Sequence, residues 1–424
     1  MKFVLVTLAA LSSLPLFAQA QVALDIEKVA PKVIEWRRDF HQHPELSNRE
    51  FKTAEKIAEH LKGLGLEVKT GVAKTGVVAL IPGQRPGKVL ALRADIDALP
   101  VTERVDLPFK SEVKTTFRGQ ETGVMHACGH DTHIAILMGV AEVLSRNNDF
   151  AGTVKLIFQP AEEGAPPGEE GGAKLMVQEQ VLQNPKVDAI FGLHIDAQND
   201  VGTLSYKPGG IMAASQSFEI YVNGKQSHGS TPWTGIDPIM ASVKIIDGLQ
   251  TIISREAPLT QEAAVLSIGK ISSGIRSNII PEKAHIVGTL RTLDYDMQEL
   301  INRRMREMVP AIAKAYKAEA TIMISEGYPI TYNDPELTEQ MLPSLKKTAG
   351  AEQVKLIKAI TGAEDFSFFS KEVPGFYFFL GGKPVDVPEA ESAPHHTPDF
   401  YIDESGLLLG VETLVQMTYD YLGG

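Results

Sequence analysis

The chain has 424 residues, 43 % hydrophobic and 22 % charged, the balance of an ordinary globular protein long enough for two domains. Its 41 Lys and Arg against 53 Asp and Glu give a formal charge of −12, which argues against nucleic acid and anionic membranes as partners. A single cysteine excludes a disulfide within the chain.

Met1 to Ala20, "MKFVLVTLAALSSLPLFAQA", carries one Lys, an apolar run too short to span a membrane, and Ala18-Gln19-Ala20 as a small-x-small cleavage site. The expectation is an exported protein, periplasmic or secreted, with segment 1–20 removed and no membrane anchor. Asp25 to Lys62 reads as helical, broken at "HQHPELSNRE". Short apolar runs then recur as strands: "GVVALIPG", "KVLALRADID", "TVKLIFQPAEEG", "VDAIFGLHID" and, much later, "GFYFFLGG". Between the second and third, "DTHIAILMGVAEVLSR" repeats apolar residues at helical spacing, with Asp131 expected as its N-cap. Strands apolar on both faces and separated by helices predict an α/β domain built on a mostly parallel sheet.

From Ser215 the pattern changes to strand, helix, two strands, helix and strand, the βαββαβ order of a ferredoxin-like unit. It reads as an insertion over 208–325, leaving 1–20 as the export segment and 21–207 with 326–424 as the larger domain.

Polar residues collect where the larger domain's strands end. Asp95 closes "VLALRAD", Glu162 and Glu163 follow "TVKLIFQPA", His194 follows "AIFGL", and His395 and His396 lie in the loop after "GFYFFLGG". Cys128 and His130 come from "MHACGHDTH", which packs three histidines, an aspartate and the sole cysteine into nine positions. In open α/β sheets, ligands bind at the carboxyl ends of strands, so distant segments deliver these groups to one edge. Thiolate, imidazole and carboxylate are the common ligands of zinc and related divalent ions. Two metals need about five or six protein ligands plus a bridging water, and Cys128, His130, Glu163, His194 and His396 supply five. Gly129 has no Cβ to obstruct the turn between the first two. In the pair Glu162-Glu163, one carboxylate can bind metal while its neighbour takes a proton from water. A metal-bound thiolate also explains one unpaired cysteine in an oxidising compartment.

"RADIDALP", "HACGHDTH", "FQPAEEG", "GLH", "QSHGSTP", "SNIIPE", "GAEDFSFF" and "HHTPDF" occur in that order over nearly the whole mature chain. In this the chain resembles the dinuclear metallopeptidases related to aminoacylase and carboxypeptidase G. The branch it is most similar to is the amidohydrolases that include hippurate hydrolase and indole-3-acetyl-amino-acid hydrolase. The resemblance implies a zinc-peptidase-like catalytic domain and an inserted lid and dimerisation domain. It implies Cys128, His130, Glu163, His194 and His396, rather than His395, as ligands of two divalent ions (Zn, Mn, Co or Ni), with Glu162 as general base. Asp95 would orient the metal site, His228 would reach a substrate oxygen, and Asn278 would assist substrate binding. Arg276 and Arg291 could pair with a substrate carboxylate, and Glu364 and Asp365 would support the site. The implied reaction is hydrolysis of the amide bond of N-acyl amino acids or small peptides by a metal-activated water, in a homodimer or higher homo-oligomer. The chain departs from the family in the lid. Gln226-Ser227 precede His228, and Trp233, a wall for the acyl group or simply packing, follows Pro232.

Other readings are a metallo-carboxypeptidase or dipeptidase on the same site, a hydrolase with Cys128 as nucleophile, and a non-enzymatic binding protein. The cysteine reading leaves the glutamate pair and two strand-end histidines without a task.

Overall fold

The computed structural model describes residues 16–423, with side chains from residue 20 onward. Most of the expected export segment, Met1 to Ala20, therefore lies outside the described residues. No helix among the described residues is long and apolar enough to cross a membrane.

The chain divides into two compact units. The larger comprises residues up to 209, 333–357 and 368 onward. Its eight-stranded sheet runs in the order Glu67–Val72, Gly76–Pro82, Ala151–Gln159, Arg85–Asp95, Ala189–Asp200, Gly375–Lys383, Leu204–Tyr206, Val354–Leu356. The four strands from Ala151–Gln159 to Gly375–Lys383 are mutually parallel, and the Glu67–Val72 and Gly76–Pro82 strands add on antiparallel. The central strands are buried on both faces, which is why they read as continuous apolar runs rather than alternating ones.

Helix His130–Arg146 starts at the site and is buried from His130 to Leu144, packed among strand Arg85–Asp95 and helices Leu16–Gln42 and Leu407–Leu422. At Gly139 an added Cβ would meet Val33 at 2.9 Å and Val411 at 3.2 Å, so glycine lets these helices approach closely. The expected N-cap is corrected here. The cap position is Gly129, and Asp131 lies inside the first turn. Its carboxylate is drawn instead to two buried basic groups on the first helix, 2.9 Å from Arg37 Nε and 2.8 Å from His41 Nδ1.

The smaller unit carries the expected βαββαβ order. Its antiparallel sheet runs Ala264–Ser273, Lys283–Thr292, Ala214–Asn223, Glu319–Ile324, and helices Pro238–Thr251 and Tyr295–Ala315 pack on it. Asp237 and Asp294 cap those helices, the first accepting the N–H groups of Ile239 and Met240 and the second that of Met297. The unit spans 210–332 and also takes in 358–367, wider than the 208–325 expected. Pairings distant in sequence extend it. Ser215 and Tyr328 exchange N–H···O bonds of 3.0 Å, and Ala213 N donates to Ile360 O at 3.2 Å and Gly362 O at 2.9 Å.

Candidate metal centre

Two turns aim the donors. Gly129 has φ +90°, and a Cβ there would lie 2.3 Å from Ile195 Cγ2, so the bend between Cys128 and His130 requires glycine. Strand Ala151–Gln159 ends in Pro160 and in Ala161 at φ +53°, a left-handed turn that delivers Glu162 and Glu163. His194 sits within strand Ala189–Asp200, which continues past it rather than ending there.

The structure brings Cys128, His130, Glu163, His194 and His396 together. Cys128 Sγ lies 3.4 Å from His194 Nε2 and 3.2 Å from His396 Nε2. Glu163 Oε1 lies 3.1 Å from His396 Nε2 and 4.0 Å from His130 Nε2, and Glu162 Oε2 lies 3.9 Å from the same His130 nitrogen. Two donor triads share the thiol: Cys128 with His130 and His194, and Cys128 with Glu163 and His396.

Hydrogen bonds fix which ring nitrogens are free. His130 Nδ1 donates to the Asp97 carbonyl at 2.9 Å and His194 Nδ1 to the Ile195 carbonyl at 2.6 Å, so in the neutral ring that binds a metal each Nε2 keeps its lone pair toward the cluster. His395 spends both nitrogens on backbone, with Nδ1 on Cys128 O at 3.2 Å and Nε2 accepting from Ala197 N at 3.1 Å. That leaves His396, whose N–H donates to Ala127 O at 2.8 Å, as the histidine of this loop that faces the thiol. His126, the first of the cluster's histidines, is buried, and burial pushes it down to about 3.

The donor set fits divalent ions. His130 Nε2 is buried without a hydrogen-bond partner, a group that a cation would satisfy. The field points the same way. Burial works against a charged His130, yet Asp95, Asp97 and Glu163 hold it up to about 10. Burial, with Glu163, Glu162 and Asp95, pushes the Cys128 thiol well above its ordinary value. A thiolate there needs compensating positive charge, the reverse of an activated cysteine nucleophile.

Asp95 is fully buried, with Oδ2 2.7 Å from Arg93 Nη1, Oδ1 2.5 Å from His133 Nδ1 and 3.8 Å from His130 Nδ1. His133 Nε2 in turn accepts the N–H of Ile195 at 2.8 Å, so this chain steadies the strand that bears His194. The more direct orienting group is Asp97, which sequence reasoning missed. Its carboxylate accepts the N–H groups of Glu162 and Glu163 at 3.0 Å each and the Ser47 hydroxyl at 2.7 Å, and lies 3.4 Å from His130 Nδ1. The available signal was its place two residues beyond Asp95 in "RADIDALP".

The remaining predicted residues belong to the smaller unit. His228 is exposed on a short ladder with Ile279, and its Nδ1 accepts the Ser230 N–H at 3.0 Å, so a neutral ring carries its proton on Nε2. Arg276 and Asn278 are exposed, and Trp233 is 79 % exposed, so it does not pack within this unit. Glu364 and Asp365 are buried, and Glu364 Oε1 accepts the Phe366 N–H at 2.8 Å.

A buried thiol, three imidazoles and paired carboxylates gathered beside a mostly parallel sheet define a class: a hydrolase that works through bound metal. Residues 91–420 match the Peptidase family M20/M25/M40, and the chain belongs to that family, whose members hydrolyse amide and peptide bonds. It is 42 % identical over 389 residues to Thermostable carboxypeptidase 2 of Saccharolobus solfataricus, covering 91 % of this chain and 94 % of the relative. It is 36 % identical over 389 residues to N-acetyl-L-cysteine deacetylase of Bacillus subtilis, covering 91 % and 87 %. The solved structure of a dinuclear metal-binding peptidase of the M20 family from Bacillus subtilis superposes with a TM-score of 0.77 at 34 % identity, covering 93 % of this chain and 99 % of that one.

Proposed function

We propose that the protein is an exported amidohydrolase that removes the acyl group from N-acyl amino acids, with Cys128, His130, Glu163, His194 and His396 holding two divalent ions and Glu162 as the general base. The observation that carries the reading is the pair Glu162-Glu163. Adjacent N–H groups are pinned to one carboxylate, Asp97, while one side chain reaches toward His396 and both approach His130. Bound metal supplies Lewis acidity toward water and the scissile carbonyl.

The protein's own groups supply the rest. Glu162 takes the proton from the attacking water and returns it to the leaving amine nitrogen. His228 offers its Nε2–H to the oxyanion, a role its Ser230 hydrogen bond suits. An amino-acid leaving group carries a free carboxylate. Arg291 suits one: it has no ion-pair partner among the described residues and lines a cavity of about 480 Å³ with Ser215, Ser217, Ser325 and Thr361. Export follows from the Met1 to Ala20 pattern.

A carboxypeptidase reading uses the same chemistry and is favoured by the 42 % identity to a carboxypeptidase. The test is amine release from a panel of N-acyl amino acids and dipeptides, using protein stripped by chelator and restored with Zn, Mn, Co or Ni singly. Activity that vanishes and returns with metal supports the reading, and the panel separates the two substrate classes. Activity indifferent to metal, and abolished by iodoacetamide on Cys128, would replace it with a cysteine hydrolase.

A further inference from the structure

The stretch Glu45 to Glu50, the "ELSNRE" between helices Leu16–Gln42 and Phe51–Gly63, carries none of the donors yet touches both the loop that bears Asp97 and the loop that bears Glu162 and Glu163. On one side it holds the loop after strand Arg85–Asp95. Leu46 bridges Ala98, Ala98 N donates to Glu45 O at 2.8 Å, and Ser47 Oγ donates to Asp97 Oδ2 at 2.7 Å. On the other it holds the loop that bears Glu162 and Glu163, at both ends. Ala161 N donates to Glu50 Oε1 at 2.9 Å, and Asn48 Nδ2 donates to Glu170 O at 3.0 Å. Arg49 adds an ion pair of 2.6 Å to Glu169.

Glu50 is the informative member. Its side chain is fully buried, and the groups that donate to it are the Ala161 N–H and, at 2.6 Å, the Thr75 hydroxyl. No cation pairs with it among the described residues. Burial, with the neighbouring Asp97, pushes Glu50 up to about 7, and in either protonation state its Oε1 remains placed to accept the Ala161 N–H. Ala161 has φ +53°, a left-handed conformation that a residue with a Cβ leaves unless its surroundings hold it. The Glu50 carboxylate fixes the N–H of that strained residue, immediately before Glu162. With Asp97 fixing the next two N–H groups, three consecutive amides of the turn are each bound to a buried carboxylate.

We propose that Glu50 is a positioning residue that holds the Ala161 turn in the conformation that presents Glu162 to water. The proposal rests on Glu162 being the base. A positioning error of about 1 Å costs about 100-fold in rate, so the effect belongs in kcat rather than in substrate or metal binding.

The test is a double-mutant cycle on the metal-loaded protein, with the N-acyl amino acid turned over fastest in the panel as probe. Expressed per folded, metal-loaded molecule, Glu50→Ala should lower kcat about 10- to 100-fold, with KM and metal content changed less than about 2-fold. Glu50→Gln should recover to within about 3-fold of wild type, because its amide oxygen still accepts the Ala161 N–H. In a Glu162→Gln background, Glu50→Ala should add nothing, since it acts through the missing base. Should Glu50→Ala fail to fold, Thr75→Val gives the same reading by loosening the carboxylate, with a smaller drop in kcat. Unchanged kcat in Glu50→Ala or Thr75→Val, or an additive loss in the double variant, overturns the proposal. Full activity in Glu162→Gln alone overturns the base assignment and the proposal together, whereas a dead Glu162→Gln beside a fully active Glu50→Ala overturns only the role of Glu50.

Discussion

Asp97 Oδ1 accepts the backbone N–H of Glu162 at 3.0 Å, although the two residues stand 65 positions apart. One carboxylate thereby couples two strand-end loops: its other oxygen takes the Glu163 N–H, and its backbone carbonyl takes His130 Nδ1. Asp97→Asn keeps the shape but turns an amide N–H₂ toward one of the two N–H groups. That conflict should loosen His130 and Glu163 together and weaken metal binding about 10- to 100-fold. Chelator competition measures it, and an unchanged metal Kd would assign Asp97 to the loop alone.

Glu162→Gln removes the proton acceptor while the Asp97 hydrogen bond to its backbone survives. The variant should therefore fold and hold metal as wild type does, with kcat lower by at least about 100-fold. Stopped amine release with normal metal content is the expected pair of readings. Loss of metal along with activity would make Glu162 a ligand instead.

Gly129 tests the bend between the two donors. Alanine there must hold φ near +90° and place its Cβ 2.3 Å from Ile195 Cγ2 and 3.2 Å from Phe400 Cζ. The left-handed backbone alone costs about 1–2 kcal/mol. The contact with Ile195, next to His194, adds to that by pushing the facing strand. Gly129→Ala should lower the urea midpoint and weaken metal binding in the same variant. A loss of stability with metal affinity intact would separate the bend from the donor geometry.

How far the sequence carries can be traced residue by residue. The parallel strands are legible because burial on both faces leaves continuous apolar runs, and the gathering of Cys128, Glu163 and His396 follows because the loops after the strands share one edge, while His194 joins them from within its strand. What escapes is set by pairings across the chain. Asp131 looks like a cap until Arg37 and His41 of the first helix claim it. Asp95 draws attention at its strand end, and Asp97 is recognised only through the Glu162 and Glu163 amides it accepts. Glu50 reads as an acidic residue in a helix break, and its partner Ala161 lies 111 positions away. Residues 358–367 join the smaller unit through Ile360 and Gly362, which no local pattern marks.

Lys155 gives a prediction in pH. It lies on strand Ala151–Gln159, which leads into the Glu162 turn, and is 2 % exposed. Its ammonium donates to the carbonyls of Val181, Gln183 and Pro185 at 2.9, 2.8 and 2.9 Å. These are dipoles without a counter-charge, so burial, with a smaller contribution from Lys69, pushes Lys155 down from 10.5 to about 8. Between those values the unfolded chain binds more protons than the folded one, and stability rises with pH. From pH 7 to pH 10 this group should add about 2 kcal/mol. Lys155→Met leaves three carbonyls unpaired and is destabilising throughout, but it no longer titrates. The stability of wild type relative to Lys155→Met, from urea unfolding, should therefore widen by about that amount between pH 7 and pH 10. A constant difference would mean that the ammonium keeps its ordinary proton affinity, with the three carbonyls compensating its burial in full.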